Sequence, residues 1–268
     1  MAQSFSNDLP HAPGMAANSL SAATPEIRRI GLNDLGTALR RGWADFLASP
    51  TQIVFLCVLY PVIGLLAATL AGGGDAIHLL YPMAAGFALV GPIAALGLYE
   101  ISRRRERGEE TSWLTVFEVL KSPALGSIVA LGVVLVGIFV AWLFVADRIY
   151  LATLGRLPES VSLWSALGTA EGWRLMLWGN LAGAVFAAAV LVLTVVSFPM
   201  LLDRDGGVGR AVSTSLRAVA ANPVPMAVWG LIVAAVLLAG SIPLFIGLAV
   251  ALPVLGHATW HLYRLVVR

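Results

Sequence analysis

Apolar side chains run along this chain in long blocks that Asp, Glu, Lys and Arg interrupt at only a few places. Five charge-free stretches stand out, at residues 46–73, 76–99, 122–146, 175–202 and 218–263. One acidic or basic residue at the centre of a membrane helix costs roughly 2.5 to 3.5 kcal/mol on insertion scales, so such stretches mark segments solvated by lipid. The last covers 46 residues, ~69 Å of helix at 1.5 Å per residue and about twice the thickness of a hydrocarbon core. It must fold back once, and Gly240, Ser241, Ile242 and Pro243 form the turn-like cluster near its middle. The pattern predicts spans near 51–71, 78–99, 125–146, 175–199, 224–240 and 243–262.

A second pattern precedes the outgoing spans. Three segments with apolar residues at helical spacing end in a polar residue followed by proline, at Ser49-Pro50, Ser122-Pro123 and Asn222-Pro223. Their stripes are Leu35, Leu39, Trp43, Phe46 and Leu47; Trp113, Leu114, Val116, Phe117 and Leu120; and Val212, Leu216 and Val219. Such helices suit the membrane interface, with Trp and Phe towards the acyl chains and Arg towards anionic head groups. The alternative is cytoplasmic caps packed on the end of the bundle. The expected fold class is all-α: a polytopic transmembrane helix bundle of about six spans in three hairpins, each preceded by an amphipathic interfacial helix. Residues 1–24 read as a disordered tail, 25–50 as a cytoplasmic amphipathic segment and 51–266 as the transmembrane domain.

Charge then orients the bundle. Arg28, Arg29, Arg40, Arg41, Arg103, Arg104, Arg105, Arg107, Lys121, Arg204, Arg210, Arg217, Arg264 and Arg268 fall on one side of the predicted spans, and Arg148, Arg156 and Arg174 on the other. Cytoplasmic loops carry the excess of basic residues, so 14 against 3 predicts both termini in the cytoplasm. Composition agrees: 59% of residues are hydrophobic and 12% charged, with mean hydropathy +0.86, far from a soluble domain. A net charge of +2, dispersed along the chain, gives no nucleic-acid surface. The tail lacks the apolar core of a signal peptide, so the first span is expected to direct insertion. The single Cys57, inside that span, offers neither a disulfide nor a thiolate metal site.

Polar residues inside apolar spans are the candidates for chemistry. His257 and His261 lie four apart on the last span, a spacing that presents both imidazoles on one helix face. Glu100 and Asp203 lie at the same cytoplasmic face and complete a candidate polar cluster. Arg103, Arg104, Arg105 and Arg107 are candidate contacts for anionic lipid. Pro61, Pro82, Pro92, Pro199, Pro243 and Pro253 lie in or beside spans, as in transporters that expose broken-helix backbone, although proline also kinks ordinary membrane helices. Gly179 and Gly183 form a GxxxG spacing suited to helix packing. There is no Walker loop, HExxH or nucleophile elbow. The run from Asp203 through Asp205 to Gly207 lacks the later ligands of a calcium loop.

Several stretches also resemble a known family: Leu80-Tyr81-Pro82, Gly86-Phe87-Ala88-Leu89-Val90-Gly91-Pro92, Gly97-Leu98-Tyr99-Glu100-Ile101-Ser102-Arg103-Arg104, Phe198-Pro199-Met200-Leu201-Leu202-Asp203-Arg204, Asn222-Pro223 and the run from Gly256 to Arg264. Across roughly 30–266 the chain resembles bacterial integral membrane proteins of domain-of-unknown-function family 2189. The resemblance implies an inner-membrane protein and brings no activity, cofactor or catalytic residue. A haem-copper oxidase core needs more histidines than the four present here. The expectation is a non-enzymatic membrane protein without cofactor, whose partners are membrane lipid and a membrane protein. The alternatives are a small-solute transporter and a metal or haem protein using His257 and His261.

Overall fold

The fold is that of a computed structural model, which describes residues 25–49, 77–87, 89, 91–156, 165–166, 168–204, 206–243 and 245–268. The N-terminal tail, the first expected span with Cys57, and Asp205 lie outside the described residues. Of the described structure 84% is helix, and there are no strands. In chain order the helices are α1 (Leu32–Ala48), α2 (Leu80–Phe87), α3 (Gly91–Ala94), α4 (Leu96–Glu106), α5 (Leu125–Thr153), α6 (Ala170–Thr194), α7 (Ser197–Asp203), α8 (Gly207–Ala221), α9 (Pro223–Ser241) and α10 (Leu248–Val266). A 3-10 segment, Trp113–Lys121, precedes α5.

Three helical stretches among the described residues are long and apolar enough to cross a membrane: Leu125–Thr153, Ala170–Asp203 and Pro223–Ser241. Ser122-Pro123 and Asn222-Pro223 fall at the starts of the first and third, where proline's missing N–H leaves no helix bond unmade. At 1.5 Å per residue α5 rises ~43 Å, so it outlasts a ~30 Å hydrocarbon core and carries Asp147 and Arg148 beyond it. Only 22% of the most apolar window of α5 and 17% of that of α9 is buried. Val133, Val140, Phe144, Leu231 and Leu238 all face outward. Water does not tolerate such a surface.

The segment expected to span at 78–99 is broken into α2, α3 and the first turn of α4. Pro82 and Pro92 lie within the two short helices, and each removes one helical N–H donor. The fold-back after α9 is also longer than expected. Phe245 sits at φ 64°, a left-handed conformation that stops a helix, and α10 begins at Leu248 rather than Pro243.

Helix α10 is the centre of the packing. It lies along α1 and also packs on α4, α7 and α9. Trp260, Tyr263, Leu262 and His257 on it are among the largest fully buried side chains. Two glycines set the closeness of these contacts. A Cβ at Gly42 of α1 would lie 2.5 Å from the Ala258 nitrogen of α10, and one at Gly256 of α10 would collide with Leu98 of α4. Small residues here let three backbones approach as glycine does in membrane helix pairs. In the GxxxG pair, Gly183 receives Trp142 of α5, while Gly179 has no neighbour in range.

The two ends of the described chain meet. Arg28 N donates to the Val266 carbonyl (2.8 Å) and Arg268 N to the Glu26 carbonyl (3.1 Å), around an isolated bridge between Ile27 and Val267. Asn222, at the third polar-proline junction, holds this strip. Its Oδ1 accepts from Ile30 N (2.7 Å) and its Nδ2 donates to the Arg28 carbonyl (3.1 Å).

Candidate functional site

The apolar stripe of α1 does not act as one surface. Leu35, Ala38, Gly42, Asp45 and Phe46 form the buried face, while Trp43 and Leu47 point outward beside the exposed Arg40 and Arg41. Asp45 is thus carried into the interface with α10, three residues after Gly42, which approaches Ala258, and on the same helix face. There it is a hub. Its Oδ2 accepts from Ser102 Oγ of α4 (2.6 Å) and pairs with His261 Nε2 of α10 (2.8 Å), and its Oδ1 accepts from Arg105 Nε (2.9 Å). Burial pushes the Asp45 carboxyl up, but hydrogen bonds from His261, Ser102 and Arg105 overcome it and hold the group at about 2.

The network continues on both sides. Ser102 gives its proton to Asp45, so it accepts from His257 Nδ1 at 2.8 Å, which fixes the imidazole tautomer. His261 Nδ1 faces Glu106 Oε1 at 3.5 Å, and Arg264 Nε binds Glu106 Oε2 at 3.1 Å. Burial raises the Glu106 carboxyl, yet the neighbouring His261 and the Arg264 charge bring it below its ordinary value. Arg264 Nη1 reaches Asp203 Oδ2 (3.2 Å), which also accepts from Tyr263 Oη (2.7 Å). Asp203, His257 and His261 therefore belong to one connected set.

Glu100, 2% exposed, is held separately. It accepts from Arg103 Nε (2.8 Å) and Arg104 Nε (2.8 Å), and Arg103 Nη1 also donates to the Leu202 carbonyl (2.8 Å). Three of the four arginines read as lipid contacts thus have intramolecular partners, since Arg105 is bound to Asp45. Arg107 is exposed at the end of α4. Sequence reasoning missed Asp45 and Glu106, the two carboxylates that join the histidines to the rest. Their partners are 57 and 216 residues away for Asp45, and the only local signal was an acidic residue on the buried stripe of an amphipathic helix.

Among the described residues no group of three His, Cys, Asp or Glu side chains is arranged to hold a metal ion. Three buried nitrogens at the site make no hydrogen bond: His257 Nε2, Trp260 Nε1 and His261 Nδ1. The opposite end of the bundle has its own polar pair, His78 Nε2 with Asp147 Oδ1 at 2.9 Å, with the imidazole stacked on Tyr150 at 4.2 Å between ring centres.

A lipid-exposed shell around a buried polar centre is the layout of a membrane protein, and comparison with known families agrees. Residues 80–203 match the family model described as predicted integral membrane protein, DUF2189. Over that stretch the chain is similar to this family. It is an integral membrane protein. The match contains α2 to α7, with Glu100, Ser102, the Arg103–Arg107 run and Asp203; Asp45, Asn222 and the two histidines of α10 lie outside it. No curated protein and no solved structure is similar to the chain.

Proposed function

We propose that the protein is a six-span component of the bacterial inner membrane, with both termini in the cytoplasm, that acts without enzymatic chemistry by binding lipid or a membrane protein at its cytoplasmic face. The meeting of residues 25–30 with 266–268 suits an even number of crossings, since both ends then lie on one side. The 14 to 3 split of basic residues makes that side cytoplasmic.

The observation that carries the lipid reading is an exposed apolar ridge. In a 3-10 helix, side chains at i and i+3 stand in line. Leu114, Phe117 and Leu120 follow that spacing and are all half exposed or more, while Thr115 and Val119 are buried and Val116 abuts Gly97. Ser49 at the end of α1 bonds Thr111 (3.1 Å), so the outward Trp43 and Leu47 of α1 are tied close to the ridge. Exposed apolar residues flanked by Arg40, Arg41 and Arg107 match what an interfacial helix offers to acyl chains and anionic head groups. Because Arg103, Arg104 and Arg105 are engaged internally, the lipid contact falls to these outer arginines.

The test is native mass spectrometry of protein reconstituted with mixed phosphatidylglycerol and phosphatidylethanolamine. Wild type should retain phosphatidylglycerol selectively, and replacing Arg40, Arg41 and Arg107 by Gln should abolish the preference. Equal retention of both lipids by wild type, or a triple variant with unchanged selectivity, would refute the lipid reading.

A further inference from the structure

One of the buried nitrogens without a partner, His257 Nε2, lies at the inner end of a continuous chain of polar contacts. From the surface inward it runs Glu106, His261, Asp45, Ser102, His257, with separations of 3.5, 2.8, 2.6 and 2.8 Å. Glu106 has a solvent-accessible side chain, whereas Ser102 and His257 are wholly buried. Three helices contribute: α1 gives Asp45, α4 gives Glu106 and Ser102, and α10 gives both histidines. A buried polar network whose inner end is left unsatisfied calls for a physical reason.

We infer that this chain is a proton relay that lets His257, enclosed in the bundle, exchange its proton with the cytoplasmic side through Glu106. Each link has a donor and an acceptor, so the transfer balances without any other reactant. When a proton arrives at His257 Nε2, the Nδ1 proton passes to Ser102 Oγ and the serine's own proton passes to Asp45 Oδ2. Protonated His261, which already donates from Nε2 to Asp45, then releases its Nδ1 proton to Glu106 as its carboxylate partner is neutralised. His257, Ser102 and the Asp45–His261 pair each gain one proton and lose one, and inward transfer is the same sequence reversed.

The surroundings favour movement over permanent trapping at any one member. Asp45 is faced by His261 and Arg105; His257 by Asp45, His261, Arg105 and the Leu98 backbone; His261 by Asp45 and Glu106; and Glu106 by His261, Arg264 and Trp260. Cations and carboxylates alternate along the path. The outermost link, at 3.5 Å, is longer than a hydrogen bond and closes by a small side-chain shift or a single bridging water. It is the gate.

Four histidines in the whole chain make the test direct. Protein labelled with nitrogen-15 histidine in lipid nanodiscs gives imidazole signals assignable by single His→Gln variants, and their line shapes report exchange with water. His257 should exchange rapidly despite its burial. Ser102→Ala should slow it by about tenfold or more, the factor that one lost hydrogen bond of ~1.4 kcal/mol puts on a rate. Ser102→Thr, which keeps the hydroxyl, should restore it, and His78 at the far end should be unaffected throughout. If Ser102→Ala fails to fold, Glu106→Gln, at the accessible end, should give the same slowing. Slow exchange in wild type, or fast exchange that survives the foldable variant, would overturn the relay.

Discussion

Helices α9 and α10 have the same length, 19 residues each, and are joined by one turn, yet they live in different solvents. Along α9 only Met226, Trp229 and Gly240 are buried, and Leu231 and Leu238 face outward. Along α10 twelve positions are buried, including both histidines, Trp260 and Tyr263. The difference shows how this bundle divides labour. Apolar helices such as α9 and α5 take up contact with lipid, where packing against neighbours gains little because acyl chains are as apolar as Leu. Helix α10 is kept from lipid by α1 and α4, and its buried hydrogen bonds join its apolar packing in holding that centre together.

Breaking the centre should therefore hurt far more than trimming the shell. Asp45→Ala strips the acceptor from Arg105, Ser102 and His261 and leaves buried donors unpaired, so it should lower stability by roughly 3 to 5 kcal/mol, read as a large drop in the unfolding temperature of detergent-purified protein. Acid probes the same hub. Asp45 is held near 2 against an ordinary 3.8, so the stability it contributes is complete above pH 3.8 and drains as pH falls through about 2. Unfolding followed between those limits should be less steep with pH in Asp45→Asn than in wild type.

Gly42→Val forces a side chain against the Ala258 backbone and should cost roughly 1 to 3 kcal/mol by prying α1 from α10. Asn222→Ala removes the clamp on the Ile30 amide and the Arg28 carbonyl, with an expected loss of about 1 to 2 kcal/mol. Limited proteolysis should then cut ahead of α1 sooner than in wild type. Leu231→Ala on the outer face of α9 should stay within about 0.5 kcal/mol of wild type. A large effect there would mean that α9 is covered by protein.

The division between shell and centre was half legible in the sequence. Charge-free length alone located α5, α6 and α9, because lipid solvation is a property of single segments. The Ser122-Pro123 and Asn222-Pro223 junctions marked where α5 and α9 begin, since Pro acts on its own turn. Depth along the helices put His257, His261, Glu100 and Asp203 together, but Glu100 is held apart from the other three by Arg103 and Arg104. Asp45 was not placed with them, because nothing near it in sequence distinguishes a solvated acid on an amphipathic helix from one buried against α10. Gly42 and Gly256 carry that information, and it becomes readable only when Ala258 and Leu98 stand opposite them. The split of Leu114 and Phe117 from Val116 likewise needed the 3-10 geometry, which the helical period of 3.6 does not anticipate.

Carbene footprinting from a photoactivatable group confined to the acyl chains tests the division most directly, with adducts mapped by mass spectrometry. Adducts should fall on Val129, Val133 and Val140 of α5, on Leu177, Leu181 and Val185 of α6, and on Leu231 and Leu238 of α9, with residues 255–263 of α10 left unmodified. Modification of Leu255, His257 or Trp260 at levels comparable to Val133 and Leu231 would contradict the account, as would a shell of α5 and α9 that takes up no label.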